Sequence, residues 1–148
     1  MKKLSDELID RLVAAAESVR DQAHAPYSEF AVGSAILDGA GEIHLGCNVE
    51  NASYGLSVCA ERHAVGAAVA AAANELIAIA VVTDTVPPTS PCGACRQVLA
   101  EFGDMPVILA NLKGERTVTS VARLLPEAFG PEVLERHNTS ESSDSKEP

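Results

Sequence analysis

Two segments far apart in the chain, Cys59-Ala60-Glu61-Arg62 and Pro91-Cys92-Gly93-Ala94-Cys95, carry three thiols and a carboxylate between them. Each reads as the start of a helix. Cys92 and Cys95, with two residues between them, face one point from a single helical turn, while Cys59 approaches from the other helix. Three thiolates so arranged hold a divalent metal tetrahedrally and leave the fourth position open, the pattern of a catalytic site rather than a structural one. A fold that satisfies it must bring the N-termini of both helices together.

Ligands at helix starts make physical sense, because metal binding needs thiolate and the positive end of the helix dipole favours that anion. Three thiolates on a zinc ion leave a net negative charge, which works against ionising a water there. Arg62, three residues after Cys59 and so on the same helical face, and Gln97, two after Cys95, are the candidate donors to the ligand sulfurs. Glu61 is the acid/base candidate, able to take a proton from water and deliver it to substrate. The plainer alternative is a glutamate that only complements the helix dipole. A closed site of four cysteines would add Cys47 and remove the open position. Cys47, however, sits in a strand pattern, where free cysteine is often a small buried hydrophobe. His63 follows Arg62 and points roughly 100° further round the helix, which makes it structural.

The 148 residues are 47% apolar, enough for one domain with its own core and no disulfide framework. Residues 1–137 are expected to form that domain. Residues 138–148, serine, acid and proline without apolar content, are expected to be a disordered tail. The N-terminus lacks the apolar run of a signal peptide, and the Ala/Gly stretch 65–73 is too short and weakly apolar to span a bilayer. A cytoplasmic protein with reduced thiols and no membrane partner is expected. A net charge of −10 excludes a polyanion partner, since nucleic-acid binding runs on lysine and arginine. A small uncharged substrate fits better. Sequons at Asn51 and Asn138 carry no weight without a secretion signal.

Along the chain, Leu8, Leu12, Ala15, Ala16 and Val19 recur at helical spacing, with Ser5 as N-cap and Pro26 as a stop, predicting a helix over 4–23. Residues 30–37 and 42–47 flank Asp38-Gly39-Ala40-Gly41 and predict a β-hairpin. The polar stretch 48–55 reads as a loop where a site is built. Helices are expected over 59–73 and 93–102, and the continuous apolar run 76–82 predicts a strand buried on both faces. Short strands at 106–110 and 117–119 and a helical turn at 121–125 complete a mixed sheet flanked by helices. The run 64–73 permits close packing, either on a neighbouring copy or on the chain's own sheet.

The combination C-A-E…P-C-x-x-C is the three-cysteine form of the zinc-deaminase signature. With Pro26-Tyr27-Ser28-Glu29-Phe30-Ala31-Val32-Gly33, Gly46-Cys47-Asn48-Val49-Glu50-Asn51-Ala52-Ser53-Tyr54, Cys95-Arg96-Gln97-Val98 and Leu124-Leu125-Pro126-Glu127-Ala128-Phe129-Gly130-Pro131, residues 26–134 resemble the small homotetrameric cytidine deaminases. The resemblance implies a three-layer α-β-α fold with a mixed five-stranded sheet. It implies zinc-dependent hydrolytic deamination of cytidine and 2′-deoxycytidine in pyrimidine salvage, with one Zn²⁺ per subunit and a homotetramer.

By position, the resemblance implies that Asn48 and Glu50 hydrogen-bond the ribose 3′-hydroxyl and that Phe30 stacks near the base. It implies main-chain contacts to the pyrimidine from Ala60 and Ser90, and Ala52, Tyr54 and Phe129 as residues reaching a neighbouring subunit's site. Deaminases of blasticidin-type nucleoside antibiotics share both metal motifs, but Arg62 and the Leu-Pro-x-Ala-Phe-Gly-Pro ending favour cytidine. Polynucleotide deaminases need a basic groove that the charge does not offer. A zinc-stabilised binding module is the rival of a different class, and it predicts that Glu61 is dispensable.

Overall fold

The computed structural model describes residues 4–134. The expected tail, and the domain boundary at 137, lie outside the described residues. Helix α1 (Asp6–Arg20) is capped by Ser5, whose hydroxyl accepts from the Leu8 N–H at 3.3 Å. It ends earlier than its periodicity suggests, because the Ala23 N–H turns back to the Arg20 carbonyl and the His24 N–H leaves for Asn48.

Strands β1 (Gly33–Asp38) and β2 (Ile43–Cys47) form the expected hairpin. β1 begins at Gly33 rather than Phe30 because an amide side chain takes the place of a neighbouring strand there. Asn48 Nδ2 donates to the Phe30 carbonyl and its Oδ1 accepts from the Val32 N–H, both at 2.8 Å. Next come α2 (Ala60–Ala70), β3 (Leu76–Thr83), α3 (Gly93–Ala100), β4 (Pro106–Asn111), β5 (Arg116–Ser120) and the short α4 (Val121–Leu124).

The five strands lie in the order β2-β1-β3-β4-β5. Only β3 and β4 run parallel, joined through α3, and the other pairs are antiparallel, so the sheet is mixed. Its two faces are sorted by strand alternation. Ala35, Leu37, Ala78, Ala80, Val82, Ile108 and Ala110 meet Leu12, Val13 and Ala16 of α1. Ile36, Ile79, Val81, Val107 and Leu109 meet Ala64, Val65 and Ala68 of α2 and Leu99 of α3. The result is a three-layer α/β/α fold.

The small-residue run in α2 therefore packs on the chain's own sheet through Ala64, Val65 and Ala68, while Gly66, Ala67, Val69 and Ala70 are exposed. The helix lies unusually close to β2. A Cβ at Gly46 would sit 2.3 Å from both the Ala60 carbonyl oxygen and the Ala64 nitrogen. That contact clamps the first turn of α2, where the site begins.

Candidate metal centre and active site

Cys59 and Cys92 are the N-cap residues of α2 and α3, and Cys95 lies in the first turn of α3. The expected convergence is present: their three sulfurs lie within 4.8 Å of one another. Cys59 Sγ and Cys92 Sγ are 3.8 Å apart, and Cys92 Sγ and Cys95 Sγ 3.6 Å. Sulfurs bound tetrahedrally at ~2.3 Å from a zinc ion stand about 3.8 Å from each other, so the donor set fits that ion. Cys47 is not part of the group. It sits in β2, where its carbonyl accepts a 2.8 Å hydrogen bond from His63 Nδ1, so His63 secures α2 to the strand.

Cys95 and Cys59 share a proton through a hydrogen bond between their sulfurs. Cys59 is pulled down to about 5, first by the hydrogen bond from Cys95 and then by Arg62, against the effect of burial. Cys95 is pushed up because it keeps the shared proton, and burial adds to this. Arg62 Nη2 donates to Cys59 Sγ at 3.9 Å and to the Ser57 carbonyl at 3.3 Å. Its Nε is buried without a partner among the described residues.

Glu61, 5% exposed in the first turn of α2, has its carboxyl raised by burial first, with the Cys59 charge adding to the effect. It borders a cavity of about 180 Å³ that also holds Cys59, Cys92, Ala60 and Ser90, with Phe30, Val32, Asn48 and Val81 along the wall. Thr83 and Thr89 complete the lining. Val32, Val81, Thr83 and Thr89 were not singled out from the sequence. The signal for two of them is the two-residue period of β3, which carries Val81 and then Thr83 out to the C-terminal end of the strand on the α2 face. Ligand crevices in open α/β sheets form at such ends.

Gln97 departs from expectation. Its Nε2 donates to the Phe129 carbonyl at 2.8 Å and its Oε1 accepts from the Phe129 N–H at 3.3 Å, so it serves the C-terminal segment and not a ligand sulfur. The reason is helical geometry, since residues two apart do not share a face. Arg96 braces the metal loop instead, donating to the Pro91 carbonyl at 2.7 Å, Ser90 Oγ at 2.8 Å and the Leu124 carbonyl at 3.0 Å.

Asn48 borders the Glu61 cavity with its amide already bonded to Phe30 and Val32, leaving one N–H and one lone pair free. Glu50 borders a neighbouring cavity of about 280 Å³ with Tyr27, Ser28, Tyr54 and Ser57. Its carboxylate accepts from the Ser28 hydroxyl and from the N–H groups of Tyr27 (2.9 Å) and Ser28 (3.2 Å), and these hold it below the usual carboxylate range. Ala52, Tyr54 and Phe129 are all exposed, Tyr54 by 73% and Phe129 by 58%. A larger cavity, about 670 Å³, lies at the other end of β1 beside Asp38, His44 and Glu75. It contains no grouped metal donors among the described residues.

Residues 6–111 match the family described as the cytidine and deoxycytidylate deaminase zinc-binding region. The chain belongs to that family. It is 52% identical over 128 residues to a cytidine deaminase of Sporosarcina psychrophila, covering 85% of this chain and 94% of the relative. A cytidine deaminase of Halalkalibacterium halodurans is 48% identical over 125 residues, covering 83% and 95%. Among solved structures, a 1.6 Å crystal structure of cytidine deaminase from Burkholderia pseudomallei superposes with a TM-score of 0.79 at 48% identity, covering 85% of this chain and all of that one. This deaminase chain thus shares fold and metal motif with proteins named for one reaction.

No helix among the described residues is long and apolar enough to cross a membrane.

Proposed function

We propose that the chain is a free-nucleoside deaminase that converts cytidine and 2′-deoxycytidine to uridine and 2′-deoxyuridine, releasing ammonia, in pyrimidine salvage. The observation that carries this reading is a buried carboxyl, Glu61, beside a three-sulfur group that fits zinc, both opening on one cavity. The family match and the names of the relatives supply the substrate class.

Cys59, Cys92 and Cys95 hold one zinc ion per subunit. When bound, zinc generates a nucleophile from water near neutral pH. Glu61 receives the first proton that water gives up and delivers it to the ring nitrogen, then takes the second from the hydroxyl added to the ring and delivers it to the leaving amine. Its raised pKa suits both directions. A C–N bond breaks as a C–O bond forms, one water is consumed and ammonia leaves. Arg62 offsets the charge of the thiolates. Ala60 and Ser90 contact the pyrimidine through the main chain, with Phe30 stacked near it, and Asn48 and Glu50 receive the sugar, whose place is between the two adjoining cavities.

Four copies form the working assembly, with one zinc in each and Ala52, Tyr54 and Phe129 reaching a neighbour's site. Exposed rings at Tyr54 and Phe129, wasteful on an isolated chain, support this. Residues 1–137 act as one unit, in a reducing cytoplasm that keeps the three thiols available. Metal-replete protein incubated with cytidine is expected to show the ultraviolet change of conversion to uridine, and no change overturns the reading. Elution at the mass of a single chain overturns the shared-site part alone.

A further inference from the structure

The turn over residues 27–30 contributes to two cavities. Phe30 lines the one beside Glu61 together with Asn48, whereas Ser28 lines the neighbouring one together with Glu50. The Ser28 hydroxyl joins the two walls: it donates to Glu50 Oε1 and accepts from the Phe30 N–H at 3.1 Å. Glu29, between Ser28 and Phe30, takes a φ of 56°, in the left-handed region that a residue with a side chain rarely adopts. Its N–H is bonded to the Ala25 carbonyl at 3.0 Å. That strained turn brings the Phe30 N–H back onto Ser28 Oγ, and strain of this kind persists where the surroundings over-determine it.

An ionised carboxylate only accepts, at about four lone-pair positions. On Glu50, Oε2 accepts from the N–H groups of Tyr27 at 2.9 Å and Ser28 at 3.2 Å, and Oε1 accepts from the Ser28 hydroxyl. One position is therefore left, on Oε1, beside the bond from Ser28. That bond is also the largest cause of the lowered Glu50 pKa, so the group is fixed as an anionic acceptor. A hydroxyl carries a single proton, and the Ser28 proton is committed to Glu50, so none remains for a ligand. Ser28 thus acts through Glu50. Phe30 is held independently of it, since Asn48 bonds to the Phe30 carbonyl and to the Val32 N–H, both at 2.8 Å.

A carboxylate with one open position selects an O–H donor there and rejects an acceptor or an anion. We propose that Ser28 is a positioning residue for the sugar: it holds the remaining Oε1 lone pair of Glu50 for the 3′-hydroxyl, and discrimination for a nucleoside bearing that hydroxyl depends on it. The inference rests on the deaminase reading and on the sugar role that reading gives Glu50. The residue it adds lies outside both metal motifs, and among the described residues it supplies the only side chain that donates to the Glu50 carboxylate.

The test uses the full-length zinc-replete protein and the variants S28A, S28C and S28T, reading KM and kcat for cytidine and for 3′-deoxycytidine, and zinc content. Ser28 is exposed, so these substitutions leave the core untouched. S28A and S28C are expected to raise KM for cytidine about five- to tenfold, the effect of a single hydrogen bond, with kcat within about twofold of wild type and zinc retained. 3′-Deoxycytidine lacks the hydroxyl, so its KM changes less than about twofold and the preference for cytidine shrinks accordingly. S28T keeps the hydroxyl and restores wild-type values. A cytidine KM within twofold of wild type in S28A and S28C overturns the proposal, and so does an equal rise for both nucleosides, which is what a merely structural role produces. Either result leaves the deaminase reading intact. A wild-type protein that turns over the two nucleosides alike overturns the sugar role of Glu50 and the proposal with it, and one that leaves cytidine unchanged overturns the deaminase reading as well.

Discussion

At residue 61 burial and charge act in the same direction: the carboxyl is desolvated and stands beside the Cys59 sulfur, and both raise its affinity for a proton. Glu61→Gln keeps the shape and removes the exchangeable proton. It is expected to lower kcat by at least ~10²-fold, the usual share of a general acid–base group, with zinc still bound by metal analysis. Retained turnover would mean that Glu61 is not the acid/base group. Arg62 bonds to Cys59 Sγ and the Ser57 carbonyl while its Nε goes unpaired. Arg62→Ala is expected to weaken zinc affinity ~10- to 100-fold, as removal of a ligand's partner does, measured by competition with a chelator. Unchanged affinity would mean that the two helix dipoles alone offset the thiolate charge. The three sulfurs and Arg62 were legible in the sequence because spacings of three residues keep side chains on one helical face. Gln97, at a spacing of two, bonds to Phe129 instead, and Thr83 and Thr89 went unseen because their placement depends on where β3 ends.

At the scale of elements, the site depends on how tightly α2 lies on β2. Gly46 is opposed by backbone and not by a flexible side chain, so an added methyl has nowhere to go. Gly46→Ala is expected to cost about 1–3 kcal/mol, the range for overpacking, and to loosen zinc because Ala60 adjoins Cys59. Urea unfolding with and without chelator checks both effects, and wild-type stability would show that α2 can lift without cost. Element types were legible almost throughout: the buried run of β3, the hairpin turn and the Ser5 cap all have local causes. The start of β1 was not, because the Asn48 amide that stands in for a strand against Phe30 and Val32 lies sixteen or more residues away. The polar stretch 48–55 shows no strand pattern, yet its start is tied to the residues that follow it by the paired bonds between Val49 and Val58.

Across the whole molecule, acidity works against the fold at both ends of the sheet. At one end Asp38 accepts from His44 Nε2 at 2.8 Å and from the N–H groups of Ala40 and Glu42 at 2.9 Å, and His44 is the largest cause of its lowered pKa. At the other, Ser28 and Tyr27 lower that of Glu50. A carboxyl with a folded pKa below its unfolded one binds fewer protons in the native state, so it stabilises the fold at neutral pH. That contribution is whole above the ordinary carboxylate value of ~4 and is lost as pH falls through the folded value. Unfolding midpoints in urea are therefore expected to hold from neutrality to about pH 5 and to drop below it. Asp38→Asn should be less stable than wild type at pH 7, because the amide lacks the charge and cannot accept all three bonds. The gap should narrow by pH 3, where the wild-type carboxyl is giving up the same advantage. A gap that stays constant across that range would mean that the turn is held by the geometry of residues 38–44 and not by the charge on Asp38.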